Sequence, residues 1–260
     1  MKLMVGSVAW RAYEAPHMYS LFQLMSRPGV VFCPRDGDAL VERARAIVAT
    51  QFLASDCDVL LTIDSDIAFQ ADDAFRVAEA AVTHNLACGL YVTRHKTICR
   101  PTSVLEPNVT VDLSSSEPVA IRWPAGGFLA THRRVFEALI ATGEYPLCHP
   151  KEAWAFRPFY TPFVVEDDQG DPILLSEDYA FGERARRAGF PCYAVPSVRL
   201  LHYGVYGYGV DDIPAREPRS LKAMTFLSNS RYRLDVAQLA PTPETTPLPE
   251  GEPSEPVAVA

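Results

Sequence analysis

Residues 59–63, with the sequence VLLTI, form the segment that most constrains the fold. Each of the five is apolar or β-branched, so a strand here would turn no polar face to water. Strands of this kind are typical of a parallel sheet that helices cover on both sides. Alternating patterns around it predict strands at residues 3–9, 30–33 and 86–92 and helices at 17–26, 38–53 and 75–82. The sequence therefore predicts an α/β fold with a mostly parallel central sheet flanked by helices.

The second half of the chain is less regular. We predict short strands at residues 119–123, 127–131, 193–195 and 198–201 and short helices at 133–141 and 176–188. Ser176 is expected to cap the last helix, and Gly189 to end it. Residues 143–175 are rich in proline and aromatic residues, which predicts a long loop with a strand around 159–165. Loops of this length inside a domain are commonly functional.

The end of the chain differs in composition from the rest. Residues 240–260 alternate proline with Thr, Glu and Ala and have little to bury, so we predict a disordered tail after one domain at 1–239. The formal net charge is −8, and the four Glu of the tail account for half of it. A moderately acidic domain argues against duplex DNA or anionic lipid as the main partner.

The sequence also predicts the cellular compartment of the protein. No apolar run approaches the roughly 18–20 residues that a membrane span needs. Residues 1–8 carry one Lys and are too short for a signal peptide, so we expect a strand there. The six cysteines show no C-x-x-C pairing, which favours free thiols in a reducing compartment. These patterns predict a soluble, cytoplasmic protein without a transmembrane segment.

Two aspartates directly follow the apolar segment. Asp64 and Asp66 are two positions apart, so their side chains share a face in an extended backbone. At the carboxyl end of a parallel strand, that face opens onto the ligand crevice of an α/β sheet. Neighbouring carboxylates repel unless a cation lies between them, and Mg²⁺ is commonly held by one or two carboxylates with phosphate oxygens. The alternative is a pair of solvated turn acids, as we interpret Asp36 and Asp38, with Asp38 capping a helix.

Two further motifs carry titratable groups. Glu177 and Asp178 fall in the first turn of the helix predicted at 176–188, where the helix dipole favours acidic residues whatever the function. A carboxylate fixed beside a cleft could also accept a proton from an acceptor hydroxyl. His202 follows the strand at 198–201 and precedes a run of Tyr and Gly. A neutral imidazole there could complete the coordination of a metal or be bonded within the fold.

A glycine pair and several basic residues complete the set of candidates. Gly126 and Gly127 either allow backbone amides to meet a ligand or serve a tight turn. Five basic residues are candidate partners for phosphate groups: Arg43, Arg45, Arg94, His95 and Lys96.

Taken in order, these motifs resemble glycosyltransferases of the GT-A fold, of the family 2 type, with some similarity to retaining mannosyltransferases of the Anp1 type. The resemblance rests on the blocks ERARAIVATQFLASDCDVLLTIDSDIAF, GGFLATHRRVFEAL and SEDYAFGERARRAGFPCYAVPSVRLLHYG. It implies the transfer of a sugar from a nucleoside-diphosphate sugar, UDP- or GDP-linked, to an acceptor hydroxyl. It also implies Mn²⁺ or Mg²⁺ as the metal.

The resemblance implies a role for each motif. Asp66 and His202 would be metal ligands, and Asp64 would bind the donor ribose or a metal-bound water. If the transfer is inverting, Asp178 would deprotonate the acceptor hydroxyl, with Glu177 beside it; retaining enzymes of the Anp1 type need no base in this sense, and the sequence leaves both outcomes open. The donor site would be lined by three further residues: Arg45, Gly126 and Gly127.

Two other functions remain open from the sequence. A nucleotidyltransferase that makes an activated sugar normally needs a glycine-rich basic loop after the first strand, and residues 5–10 contain one glycine. A nucleotide-sugar-binding protein without turnover is the second. The acceptor could be a glycan, a protein, a lipid-linked sugar or a modified nucleobase, and we expect the aromatic loop at 154–160 to face it.

Overall fold

The computed structural model describes residues 1–94, 99–204, 206–213, 219–228 and 231–238. Its first half contains β1 (Leu3–Ala9), α1 (Ala15–Met25), β2 (Val30–Asp36), α2 (Val41–Leu53), β3 (Val59–Asp64), β4 (Ile67–Ala68), α3 (Ala71–His84) and β5 (Leu86–Gly89). The middle contains β6 (Val104–Leu105), β7 (Thr110–Asp112), β8 (Val119–Trp123), β9 (Phe128–His132) and α4 (Arg133–Ala141). Then come β10 (Phe163–Glu166), β11 (Pro172–Leu175), α5 (Glu177–Arg187), β12 (Cys192–Val195), β13 (Leu201–Tyr203), β14 (Gly207–Tyr208), a 3-10 turn (Val210–Asp212), β15 (Arg219–Ser228) and β16 (Arg231–Gln238).

Within these residues, the main sheet has the strand order β2-β1-β3-β9-β5-β12-β8-β6. Strand β1 pairs in parallel with β2 and β3, and β12 pairs in parallel with β5. Strand β9 is antiparallel to both of its neighbours, and so is β8. All strands of this sheet except β9 and β8 therefore run in one direction. The predicted α/β fold with a mostly parallel central sheet is confirmed.

Helices cover the sheet on both faces. One buried cluster joins α2, α4 and α5 to the sheet, and another joins α1 and α3 to it. Successive residues of β3 alternate between them, with Leu60 in the first cluster and Leu61 in the second. Strand β3 is almost wholly inaccessible to solvent, as expected of a run that is mostly apolar and β-branched.

Several predicted boundaries and roles differ from the structure. Helix α2 starts at Val41, and Asp38 does not cap it. Instead the buried Asp38 carboxylate accepts hydrogen bonds from the Leu40 amide and from two nitrogens of Arg43. The strand expected at 86–92 ends at Gly89, and the one expected around 159–165 is the short β10, which pairs with β11.

Besides the β10–β11 pair, two further small sheets in the described part of the chain were not predicted. Strand β13 pairs with β14 and with β4, and β15 pairs with β16 and β7. The expected tail at 240–260 lies outside the described residues, so the division into a domain and a tail stays a prediction. No helix in the described part of the chain combines the length and the apolar character that crossing a membrane requires.

Candidate active site

The predicted site residues meet at one edge of the sheet. Asp64 ends β3, and Asp66 lies in the turn before β4, at the edge where β1 also ends. Strand β13 brings His202 alongside, because His202 is paired with Ile67 of β4. The other members of the cluster come from α2, from the turn before β9 and from the start of α5: Arg45, Gly126, Gly127, Glu177 and Asp178.

The two ring nitrogens of His202 have different surroundings. Nδ1 lies 2.7 Å from the carbonyl oxygen of Val92, which can only accept, so Nδ1 carries the proton. In the neutral ring, Nε2 then presents a lone pair, and it lies 3.5 Å from Oδ1 of Asp66. A histidine whose second nitrogen is bonded in this way is oriented as metal-binding histidines usually are.

Asp66 has one oxygen that the protein leaves unsatisfied. Its Oδ1 is shielded from solvent and accepts no hydrogen bond from any group in the described part of the chain. Burial tends to raise the pKa of Asp66, but the hydrogen bond and charge of His202 in its protonated form, together with the charge of Arg94, outweigh burial and lower the pKa. When His202 is neutral, its lone pair faces the carboxylate oxygen, and a divalent cation between them would satisfy both atoms.

The described residues offer no larger group of ligands there. Across the described ranges, no cluster of three or more His, Cys, Asp or Glu is placed to hold a metal. Asp66 and His202 would therefore leave most of a cation's coordination to water and substrate oxygens. This is the usual situation of Mg²⁺ at phosphate-binding sites.

Asp64 faces a different partner. Its Oδ1 accepts a hydrogen bond of 2.8 Å from Nη2 of Arg45, whose side chain is only 3% exposed. Arg45 also donates to the carbonyl oxygen of Gly126, at 2.5 Å, and its Nε lies 3.7 Å from Oε1 of Glu177. The geometry thus makes Arg45 a buried countercharge for the acidic residues, and its contact with a donor phosphate stays a prediction.

These acidic side chains have shifted pKa values. Burial raises the pKa of Asp64, and Arg45 only partly offsets this effect. Burial likewise raises the pKa of Glu177. The charge of Arg45 lowers this pKa, whereas the nearby charge of Asp178 raises it further. Raised carboxyl pKa values in a cleft are common at catalytic sites, although structural ion pairs also produce them.

Asp178 is held by three donors at the start of α5. Oδ2 accepts from the Gly126 amide at 2.9 Å, and Oδ1 accepts from the Tyr179 amide at 2.8 Å and from the Ser176 hydroxyl. Ser176 is the N-cap residue, as predicted, but its side chain makes no capping bond to a backbone amide. Asp178 is therefore a fixed carboxylate that faces the glycine turn.

The glycine pair lets side chains approach the turn closely. A Cβ on Gly126 would lie 2.5 Å from Nη1 of Arg45, and one on Gly127 would lie 2.4 Å from the Tyr91 hydroxyl. The Gly127 amide donates to that hydroxyl, and the Asp64 amide donates to the Gly127 carbonyl. Both glycine amides thus have acceptors within the protein, which favours the tight-turn interpretation. Their contact with a donor sugar stays a prediction.

Sequence reasoning missed two residues that support the site. Tyr91 is buried, bonds to the Gly127 amide and places its ring edge-on to His202 at 5.2 Å. His17 is fully buried; its Nδ1 donates to the carbonyl of Ile67, and its Nε2 accepts from Ser7. Tyr91 followed an apolar strand pattern and His17 a helical one. Neither pattern shows that these side chains reach the carboxyl edge of the sheet.

One cavity borders this cluster, and a second is lined by residues that flank Arg45 in sequence. A cleft of about 180 Å³ at the carboxyl ends of β1 and β3 is bordered by Trp10, Asp38, Asp64 and Asp66. A groove of about 430 Å³ is lined by the start of α2, by residues of the aromatic loop such as Trp154 and Phe156, and by the preceding His149.

The predicted phosphate partners His95 and Lys96 lie outside the described residues.

Comparison with known proteins does not assign the chain to a family. No family model matches the chain, and no curated protein matches it. Among solved structures, A197 from STIV is similar at a TM-score of 0.48 and 14% identity, over 95% of this chain and 100% of that one. GalNAc-T7 with UDP, GalNAc and Mn²⁺ has a TM-score of 0.47 and 11% identity, over 78% of this chain and 44% of that one. The inositol-1-phosphate CTP transferase from T. maritima has a TM-score of 0.37 and 10% identity, over 78% and 90%. At these scores and identities, the likenesses say nothing about the chemistry of this chain.

Proposed function

We propose that the protein is a metal-dependent glycosyltransferase that moves a sugar from a nucleoside-diphosphate sugar to an acceptor hydroxyl. One observation carries the proposal. The shielded, unsatisfied Oδ1 of Asp66 faces Nε2 of His202 at the carboxyl edge of a parallel sheet, in reach of a cleft. That edge is where open α/β sheets bind ligands.

The metal site would consist of Asp66 and His202, with Mn²⁺ or Mg²⁺ as the ion. When bound, such an ion stabilises the negative charge that develops on the departing diphosphate. Arg45 favours the ionised forms of the neighbouring acids and holds them in place, because its guanidinium is shared between Asp64, Glu177 and the Gly126 carbonyl. Asp64 is thereby held beside the turn that contains Gly127.

The acidic pair at the start of α5 would take the proton of the acceptor hydroxyl. In the transfer, the bond from the sugar carbon to the diphosphate breaks, a bond to the acceptor oxygen forms, and the acceptor loses its proton. Asp178 is positioned for this by three hydrogen bonds. Glu177 has the raised pKa that suits a base near neutral pH. Separate variants of the two residues decide between them.

The aromatic groove is the proposed acceptor side. The three aromatic rings form a triangle, with centroid distances of 4.1 Å between His149 and Trp154, 6.0 Å between His149 and Phe156, and 6.4 Å between Trp154 and Phe156. The loop is fixed by mutual backbone bonds between Cys148 and Phe156. Flat aromatic side chains with polar neighbours suit a sugar or a base as the bound group.

The test is an assay of nucleoside-diphosphate release from a panel of UDP- and GDP-linked sugars with Mn²⁺. We expect release from one of these donors, and its loss with EDTA or in Asp66→Asn. The exposed Asp72, which pairs with Arg27, provides the matched control Asp72→Asn, which keeps full activity. Unchanged activity in Asp66→Asn would contradict the proposal. Donor binding without release would favour a binding protein, and pyrophosphate release from a nucleoside triphosphate and a sugar phosphate would favour a nucleotidyltransferase.

A further inference from the structure

Asp66 has a second partner on its other carboxylate oxygen. Nη1 of Arg94 donates to Oδ2 of Asp66 at 2.6 Å and to the carbonyl oxygen of Tyr203 at 3.3 Å. Oδ1 of the same carboxylate faces His202. A guanidinium thus binds the carboxylate that is proposed to hold the metal.

A cation at Asp66 would have to compete with this ion pair. A carboxylate whose charge is shared with a guanidinium attracts a divalent cation less strongly than a free one, because the two positive charges repel each other. The Arg94 side chain is 48% exposed, so its head can leave Asp66 without opening the core. Gly204 gives its stem room, since a Cβ there would lie 3.3 Å from Cδ of Arg94.

We infer that Arg94 exchanges Asp66 for the diphosphate of the donor when a divalent cation binds. The inference rests on the proposed function, because it takes Asp66 as a metal ligand. A phosphate that shares a cation with Asp66 lies close to the released guanidinium. Guanidinium groups bind phosphate oxygens through two parallel hydrogen bonds, which makes the exchange favourable.

This exchange makes Arg94 the link between metal and donor. Without the donor, Arg94 weakens metal binding by occupying Asp66. With the donor, Arg94 moves to the phosphates and the cation has Asp66 to itself. Because such coupling is reciprocal, the donor tightens metal binding by the same factor by which the metal tightens donor binding.

The exchange predicts effects of opposite sign in one variant. In Arg94→Gln, the affinity for Mn²⁺ alone rises about two- to fivefold, the range expected when one partner of an exposed ion pair is removed. The affinity for UDP or GDP in the presence of Mn²⁺ falls. Arg94→Lys keeps the charge but loses the two-pronged geometry, so its Mn²⁺ affinity stays near that of the wild type while its diphosphate affinity falls.

Mn²⁺ titration followed by electron paramagnetic resonance measures the first effect without any turnover, and calorimetry with UDP and GDP measures the second. Arg27→Gln is the matched control, because Arg27 is also 48% exposed and pairs with Asp72 at 2.7 Å. It should change neither affinity. Mn²⁺ affinity that is equal or lower in Arg94→Gln overturns the inference, while the loss of activity in Asp66→Asn would still support the proposed function. Absence of Mn²⁺ binding in wild type and Arg94→Gln alike overturns both.

Discussion

Replacing Arg45 by Met tests whether this buried guanidinium is the countercharge of the site. The substitution keeps most of the side-chain stem and removes the charge beside Asp64 and Glu177. Removing one partner of a buried ion pair costs about 3–5 kcal/mol of unfolding free energy. The two carboxylates retain 27% and 18% exposure, which places the expected loss near the lower end, at about 3 kcal/mol. The Gly126 carbonyl contributes little, because the Thr62 hydroxyl still donates to it.

The loss should depend on pH in a defined direction. The pKa values of Asp64 and Glu177 are already raised, and without Arg45 they rise further. A raised pKa in the folded state stabilises the protein below the unfolded pKa, and this stability is lost as pH rises through the folded pKa. The destabilisation by Arg45→Met is therefore small near pH 4 and reaches its full value by about pH 8.

Thermal and urea unfolding at pH 5 and pH 8 provide the assay. For a chain of this size, about 3 kcal/mol corresponds to a decrease of roughly 6–12 °C in Tm. Arg133→Met is the control, because the guanidinium of Arg133 donates to backbone carbonyls, among them those of Phe52 and Ser55, and carbonyls do not titrate. Equal losses at both pH values, or the same pH profile in both variants, would refute the reasoning.

Three further predictions concern the same region. Glu177→Gln should reduce transfer yet raise Tm at pH 7, because the raised pKa of Glu177 makes its ionised form costly; the gain should vanish below about pH 4.5 in thermal unfolding. A lower Tm at pH 7 would contradict this. Gly127→Ala should cost about 1–3 kcal/mol in urea unfolding, since its Cβ would overlap the Tyr91 hydroxyl, and adding Tyr91→Phe should recover part of the loss. Trp154→Ala should raise KM for the acceptor and leave donor hydrolysis unchanged in the release assay, whereas equal loss of both would remove the groove from the acceptor site.

The sequence was sufficient for the features that depend on local pattern. The apolar run at residues 59–63 predicts a buried strand, and a strand there places Asp64 and Asp66 at the carboxyl edge of the sheet. His202 was found because it stands at the end of a strand pattern, although its actual strand has only three residues and pairs with the two-residue β4.

The pairing of the charged groups could not be predicted, because it depends on contacts between distant parts of the chain. Arg45 reaches Asp64, 19 positions away, and Gly126, 81 positions away. Asp38 looked like a solvated cap, yet it is buried because Arg43 on the following helix neutralises its charge and lowers its pKa. Arg94 was one of five candidate phosphate partners, and only the structure shows that it contacts Asp66.

A crystal grown with Mn²⁺ and UDP or GDP, measured for anomalous scattering from manganese, tests the proposed metal site most directly. We predict an anomalous peak that places a manganese ion within bonding distance of the Asp66 carboxylate, of Nε2 of His202 and of diphosphate oxygens. A nucleoside diphosphate ordered in the cleft with no manganese at Asp66, or with manganese bound elsewhere, would contradict the proposed function.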